Sequence, residues 1–517
     1  MPPRSAGVEA CTVSFLHPRR PVATVASIAL IAGVATAVVL AIAGCGSFGG
    51  GQISTVGKVS FARPLAIPAL AKSTIDSQGR TSFELTAEDG TSHFVAGKST
   101  PTRGFNQPYL GPTLVANVGD RVVVHLHNSL NEATSVHWHG MHLPAVDDGG
   151  PHQMVAPGAT LSPSWSIKQN ATTLWYHPHL MGTTEEQVAD GMAGMFILHD
   201  AAEEALPIPH AYGIDDIPVE VQDVRFDAQG HFATDVRGFI GPVGNKILVN
   251  GTLGPYLDVT TTVVRLRLLN ASASRVYRFG FSDNRAFALI GTDGGLLSAP
   301  DSTNHVQLAP GERAEILVRV APGERTVLRS TPPDLGLEHT VATMNAGADS
   351  FDVLQLRASD QLATVGTIPA SLVPIAQLPA PAAFRTFTLE GHDINGQSMD
   401  MNRIDAVVTL GMTERWTITN TQDEPHSFHV HDVDFQVKSV GGKPPPPELS
   451  GWKDTIYLRP HAAYVIVMTF ADYSDAVHPY MYHCHMLDHE DHGMMGQFVV
   501  VKPGQLPNTD LGAHHDH

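Results

Sequence analysis

Hydrophobic and polar residues alternate in short runs along most of the chain, as in Arg121 to Leu126 and Glu414 to Thr419, with Gly, Pro, Asn and Asp between the runs. A period of two puts alternate side chains on one buried face, so these runs predict β-strands. No long stretch carries a helical period. One segment breaks the alternation. Val22 to Ala43 is apolar and uncharged, follows Arg19-Arg20, and runs into Ile42-Ala43-Gly44-Cys45. This reads as an export leader over residues 1–45, ending in a lipobox-like sequence that would make Cys45 a lipid-anchored N-terminus. Paired arginines suit a twin-arginine export route. Residues 46–56 read as a tether.

The alternating pattern repeats. From Gly119 the chain reads GDRVVVHLHNSLNEATSVHWHG, and from Gly411 it reads GMTERWTITNTQDEPHSFHVHD, aligned without a gap at an offset of 292 residues. Asn128 meets Asn420, His137 meets His429, and His139 meets His431. Further on, Leu174 to His179 meets Tyr480 to His485. A fainter third copy runs from Arg265 to Asn270, with Phe279 and Phe281 at the spacing where the other copies have His. The repeat predicts an all-β chain of three consecutive Greek-key β-sandwiches. Their expected extents are 57–200, 205–358 and 384–503, with a Pro/Ala/Leu-rich connector over 359–383 and a His-rich tail over 504–517.

Length agrees with about three domains. The net charge of −19 argues against nucleic-acid binding. Among 28 histidines there are only three cysteines. Cys11 and Cys45 fall in the leader, so Cys484 is the only cysteine in the body and no internal disulfide is expected. A single thiol amid histidines reads as a ligand or nucleophile.

Residues i and i+2 of a strand share a face, so each His-x-His aims two imidazoles at one place. Copies one and three each hold two such pairs: His137/His139 and His177/His179, then His429/His431 and His483/His485. The repeat therefore predicts a pseudo-symmetric metal cluster between the first and third domains, with the second as a spacer. A second site is possible only in copy three, because His426 aligns with Thr134 and Cys484 with Pro178. One Cys, two His and an axial Met form a blue-copper electron-transfer set, and Cys484, His426, His489 and Met494 supply it.

These four motifs, in this order, resemble those of the multicopper oxidases, the family of laccases, bilirubin oxidases and bacterial cuprous oxidases. Asp215-Asp216-Ile217-Pro218, Asn250-Gly251 and Gly451-Trp452-Lys453-Asp454-Thr455 look like the bacterial periplasmic copper-tolerance members. The resemblance implies cupredoxin-like sandwiches and four copper ions. His426, Cys484, His489 and Met494 would bind one type 1 copper, and His137 and His429 the type 2 copper. His139, His177, His179, His431, His483 and His485 would bind the type 3 pair. The implied reaction takes single electrons from Cu(I), a phenol or an aromatic amine and reduces O2 to water, with copper tolerance as the biological setting.

By the same resemblance Asp148 is the acid beside the cluster, with its neighbour Asp147 as competitor, and Glu490 is a proton-relay acid. Asp423 is a candidate to hydrogen-bond His426 or to bind incoming metal. Met399, Asp400 and Met401 are a candidate Cu(I) path, with packing in a core the competing reading. Ser427 replaces a proline common in the family. His125, His127, His142, His199, His478 and His492 read as surface or hydrogen-bonded histidines. The resemblance implies a monomer in the bacterial cell envelope, with no nucleic-acid partner. Its alternatives are a noncatalytic copper-buffering protein, a nitrite reductase, or an envelope scaffold like the cell-division relatives that keep the fold and lose copper. Intact ligands at all twelve positions speak against the scaffold.

Overall fold

The computed structural model describes residues 51–233 and 240–508. The leader with Cys11 and Cys45, and the tail histidines His514, His515 and His517, lie outside the described residues. No helix among the described residues is long and apolar enough to cross a membrane.

Among the described residues, six sheets pair face to face around the three largest apolar cores, giving the three consecutive sandwiches that the repeat predicts. In the first, Phe83 and Leu85 of one sheet meet Leu174, Phe196 and Leu198 of the other. Phe279 and Phe281 pack into the core of the second sandwich. In the third, Trp416 and Ile466 face Phe428, Tyr482 and Phe498. The few helices are short, such as Thr184–Ala189 and Leu487–Asp491.

The repeated strand does the same job three times. Arg121–Asn128, Val263–Asn270 and Thr413–Asn420 each pair in parallel with an earlier strand of their own domain: Thr81–Ser92, Asp216–Val224 and Ala383–Glu390. Each ends on a buried Asn that closes the following corner. Asn128 donates to Glu132 O and Val155 O, Asn270 to Arg275 O and Leu308 O, and Asn420 to Glu424 O and Leu458 O. Each also accepts a backbone N–H two residues on. Buried corners need such partners for their carbonyls, which is why this Asn recurs.

Two expected boundaries move. The described part of the tether and the start of the first domain run along the second sandwich. Ile53 N donates to Asp349 Oδ1 at 2.7 Å, Thr55 N to Ser350 O at 3.0 Å, and Arg63–Pro64 pairs in parallel with Pro255–Thr261. The strand covers an otherwise open sheet edge. The second sandwich also ends later than expected, because its last strand, Phe351–Ala363, continues past Ala358.

Candidate metal centres

The five-stranded sheet of the third domain separates two sites by alternation alone. Its strand His426–Val430 sets Phe428 opposite Cys484 and His429 opposite His483. His429, His483 and His485 point to one face. His426 and Cys484 point to the other, into the core.

On the core face, His426 Nδ1 and His489 Nδ1 lie 3.6 and 3.5 Å from Cys484 Sγ and 3.3 Å from each other. The turn of helix at Leu487–Asp491 supplies His489. Cys484 N donates to Met494 O at 3.0 Å and Met494 N to His489 O at 2.9 Å, folding the run back on itself. Met494 is wholly buried in the same core as Cys484. Burial alone would favour a neutral His489, but the Cys484 sulfur and the Glu424 carboxylate outweigh it and push its pKa up to about 10. Glu424 Oε1 stands 3.3 Å from His489 Nε2.

On the other face, the eight remaining imidazoles converge from the first and third domains, each at most 1% exposed. His139 Nδ1 lies 3.4 Å from His177 Nε2 and 3.2 Å from His485 Nε2. His179 Nε2 lies 3.1 Å from His483 Nε2, and His431 joins them. His137, His429 and His431 form a third group. Rings from the two domains stack across the boundary, His137 on His431 and His139 on His429, each pair with centroids 3.8 Å apart. Burial, reinforced by neighbouring imidazoles, holds most of these rings neutral: His429 falls to about 4, and His179 and His483 to about 3. The Nε2 atoms of His137, His429, His431 and His426 are buried without a hydrogen-bond partner. Neutral imidazoles with an unpaired buried nitrogen, beside one thiol and a thioether, are a donor set suited to copper. The residues fit the metal.

The carboxylates divide more sharply than sequence could divide them. Asp148 is buried at the cluster. Its Oδ2 accepts from His431 Nδ1 at 2.7 Å, its main-chain O accepts from His137 Nδ1 at 3.0 Å, and its Oδ1 makes no hydrogen bond. Asp147 is half-buried, and burial raises its pKa to about 6 against the opposing pull of Ser164 and His478. Glu490 is wholly buried, with one oxygen 3.2 Å from His179 Nδ1 and the other 3.2 Å from His483 Nδ1. Burial, partly offset by His179, raises its pKa.

Asp423 does not reach His426. Its carboxylate is exposed and accepts from His461 Nε2 at 2.9 Å, so it makes no bond to His426. The loop turns its neighbour Glu424 inward to His489 instead. Met399 and Met401 are half-buried, and Met399 N donates to Gly493 O, one residue from Met494. Buried Ser427 donates to Pro310 O of the second domain. The six histidines set aside as non-ligands each have a partner: Ser162, Thr160, Asp472, Glu203, Asp475 and Asp488 for His125, His127, His142, His199, His478 and His492.

Three residues at the site carried no assigned role in the sequence. Asp454 accepts from His139 Nε2 at 3.1 Å through Oδ1 and from His429 Nδ1 at 2.9 Å through its main-chain O. Thr455 Oγ1 lies 3.0 Å from both of those ring nitrogens. Arg313, from the second domain, holds Asp454. The second domain is thus more than a spacer. A charged residue in the buried strand Arg313–Arg319 was the one available signal for it.

Two family models, each described as multicopper oxidase, match residues 86–203 and 372–504. Among curated proteins, the chain is 37% identical to cell division protein FtsP of Escherichia coli, over 85% of this chain and 93% of that one. It is 33% identical to multicopper oxidase mco of Staphylococcus epidermidis, over 84% and 92%. Among solved structures, a laccase from Pediococcus acidilactici superposes with a TM-score of 0.77 at 32% identity, over 85% of this chain and 93% of that one.

Proposed function

The chain belongs to the multicopper oxidase family, and we propose that it couples four one-electron oxidations of Cu(I), a phenol or an aromatic amine to the reduction of O2 to water, in the service of copper tolerance. Family membership carries copper-dependent oxidase chemistry; the donor and the setting are our reading. Four coppers would supply that chemistry, one at Cys484, His426, His489 and Met494 taking electrons singly, and three among the eight imidazoles passing them to O2.

The observation that supports the reading most is the placement of His483-Cys484-His485. One short piece of strand aims its thiol into one ligand set and its two imidazoles into the other. The backbone from His483 to His485 joins the two ligand sets. Glu424 meets His489 at Nε2, the nitrogen turned away from Cys484, and we take that side as the one a donor approaches. Reduction of O2 consumes protons, and two buried acids stand where they are needed. Asp148 would hold a proton at Oδ1, which makes no hydrogen bond and stands 3.4 Å from His137 Nδ1. Glu490 would hold one between His179 and His483. Burial of every ligand ring excludes bulk water from the cluster.

Export through the leader, a lipid anchor at Cys45, a place in the bacterial envelope and a monomeric state complete the proposal. The test is oxygen uptake by the copper-loaded protein with Cu(I) and with a phenol, alongside its colour and copper content. A colourless protein that consumes no O2 overturns the oxidase reading and leaves copper buffering. The FtsP relatives favour a noncatalytic envelope role as the second reading. Such a role would survive Cys484→Ser unchanged in a division assay, whereas oxidase turnover would not.

A further inference from the structure

We propose that Asp454, gripped by Arg313 of the second domain, is a positioning residue that sets which nitrogen His139 and His429 present to metal. The inference rests on the copper-binding reading above and adds to it a residue pair and a domain. It starts from an inequality among the rings. At the cluster, His137, His429 and His431 leave Nε2 free, and His177, His179, His483 and His485 bring Nε2 to the ligand groups. His139 alone turns Nδ1 inward. A neutral imidazole offers one lone pair, and the hydrogen bond made by its other nitrogen decides which. For His139 that bond runs from Nε2 to Asp454 Oδ1 and Thr455 Oγ1. For His429 it runs from Nδ1 to Asp454 O, leaving Nε2 for metal. One residue sets the two opposite tautomers.

Asp454 can do this because it cannot turn. Arg313 Nη1 meets its Oδ1 at 2.8 Å and Nη2 meets its Oδ2 at 2.5 Å. The remaining donors of the guanidinium go to Thr173 O in the first domain and to Gly311 O and Asp293 O in the second. All five N–H groups are used. Arg313 is wholly buried and touches all three domains through these bonds.

Gly140 gives independent support. A Cβ built there would stand 2.4 Å from Asp454 Oδ2 and 2.7 Å from Arg313 Nη2. Gly140 takes φ 82°, a left-handed conformation that itself favours glycine, and its mate in the repeat, Asp432, holds φ 72° with one of the few side chains that tolerate it. The glycine that closes His137-Trp138-His139-Gly140 thus meets two demands at once, the left-handed turn and room for the ion pair and Leu174.

Asp454 is also the counterpart of Asp148 across the cluster. Each accepts from a ring of its own domain through main-chain oxygen and from a ring of the other domain through its carboxylate. They differ in freedom. The fold has divided a symmetric pair into one acid with an oxygen left without a hydrogen bond and one whose two oxygens are both committed to positioning.

The test compares wild type with Asp454→Asn, Arg313→Lys and Gly140→Ala after loading with copper. Asp454→Asn puts an amide donor against Arg313 or His139. The expected result is a 10- to 100-fold weaker hold on cluster copper, on the order found when second partners of metal ligands are lost. Copper per chain falls, and the type 2 electron paramagnetic resonance signal is lost or shifted. The blue colour of the Cys484 site stays and reports that the third domain is folded. Arg313→Lys and Gly140→Ala, which leave every ligand in place, move the same signal in the same direction. Unchanged copper content and resonance parameters in all three variants overturn the proposal. A wild type that binds no copper overturns the oxidase reading instead. Should Asp454→Asn lose its blue colour, the other two variants decide.

Discussion

Removing His429, one of the copper ligands we propose, is expected to make the copper-free protein more resistant to acid. In His429→Asn the new amide can still donate to Asp454 O, as His429 Nδ1 does at 2.9 Å. What is lost is a titrating ring. Burial, opposed by Asp454, lowers the His429 pKa from 6.5 to about 4. Between those values the unfolded chain binds a proton on this ring and the folded protein does not, so stability is lost as pH falls from 6.5 towards 4 and levels off below. For one group the loss relative to pH 7 is about 1 kcal/mol at pH 5.5 and about 3 kcal/mol at pH 4. The void left by the smaller side chain costs the same at every pH and drops out of the comparison. Chemical unfolding of copper-free wild type and variant at pH 7, 5.5 and 4 gives the difference. The gap should move in the variant's favour by these amounts. A gap that stays constant within about 0.5 kcal/mol, half the smaller of the two expected shifts, would show that the ring accepts a proton inside the fold and refute the argument.

Further outcomes are expected. Cys484→Ser should abolish both blue absorption and O2 consumption, read by visible spectroscopy and an oxygen electrode, while the cluster imidazoles stay in place. Glu490→Gln sets an amide donor against the Nδ1–H of His179 or His483 and should lower turnover about 10- to 100-fold with the blue band retained; turnover within twofold of wild type counts against the relay role. Asp423→Asn should leave the blue-site reduction potential unchanged, whereas Glu424→Gln should raise it by removing a negative charge 3.3 Å from His489, and redox titration separates the two. Asn270→Ala strands Arg275 O, Leu308 O and Ser272 N and should cost about 3 kcal/mol in thermal unfolding of the second domain without altering copper binding.

Alternation and the repeat carried most of the fold, because a period of two is a local property and both copies of His-x-His keep it. The placement of the thiol followed from one aligned pair, Cys484 against Pro178. Adjacent acids were where sequence ran out. Asp147 and Asp148 are separated by the end of the short helical turn Ala145–Asp147, which leaves Asp148 facing the cluster. Asp423 and Glu424 are separated by the loop before His426, which leaves Asp423 outside with His461 and turns Glu424 inward to His489. Arg313 and Asp454 lie 141 positions apart in different domains. Neither belongs to the repeat, so no pattern could join them before the chain was folded.

The shared cluster has a meaning in time as well as in space. His179 and His483 meet across 304 positions of chain. At the pace of translation, roughly 5–20 residues per second, the first half of the ligand set is made about 15–60 s before its complement. During that interval no imidazole from the third domain is present to stack on His137 or His139. Copper bound then would be held by half a site, open to water and to exchange. On the proposed copper-binding reading, the cofactor would be retained only after synthesis has passed His485 and the two outer domains have closed, which would make metal loading one of the last events in the maturation of the protein.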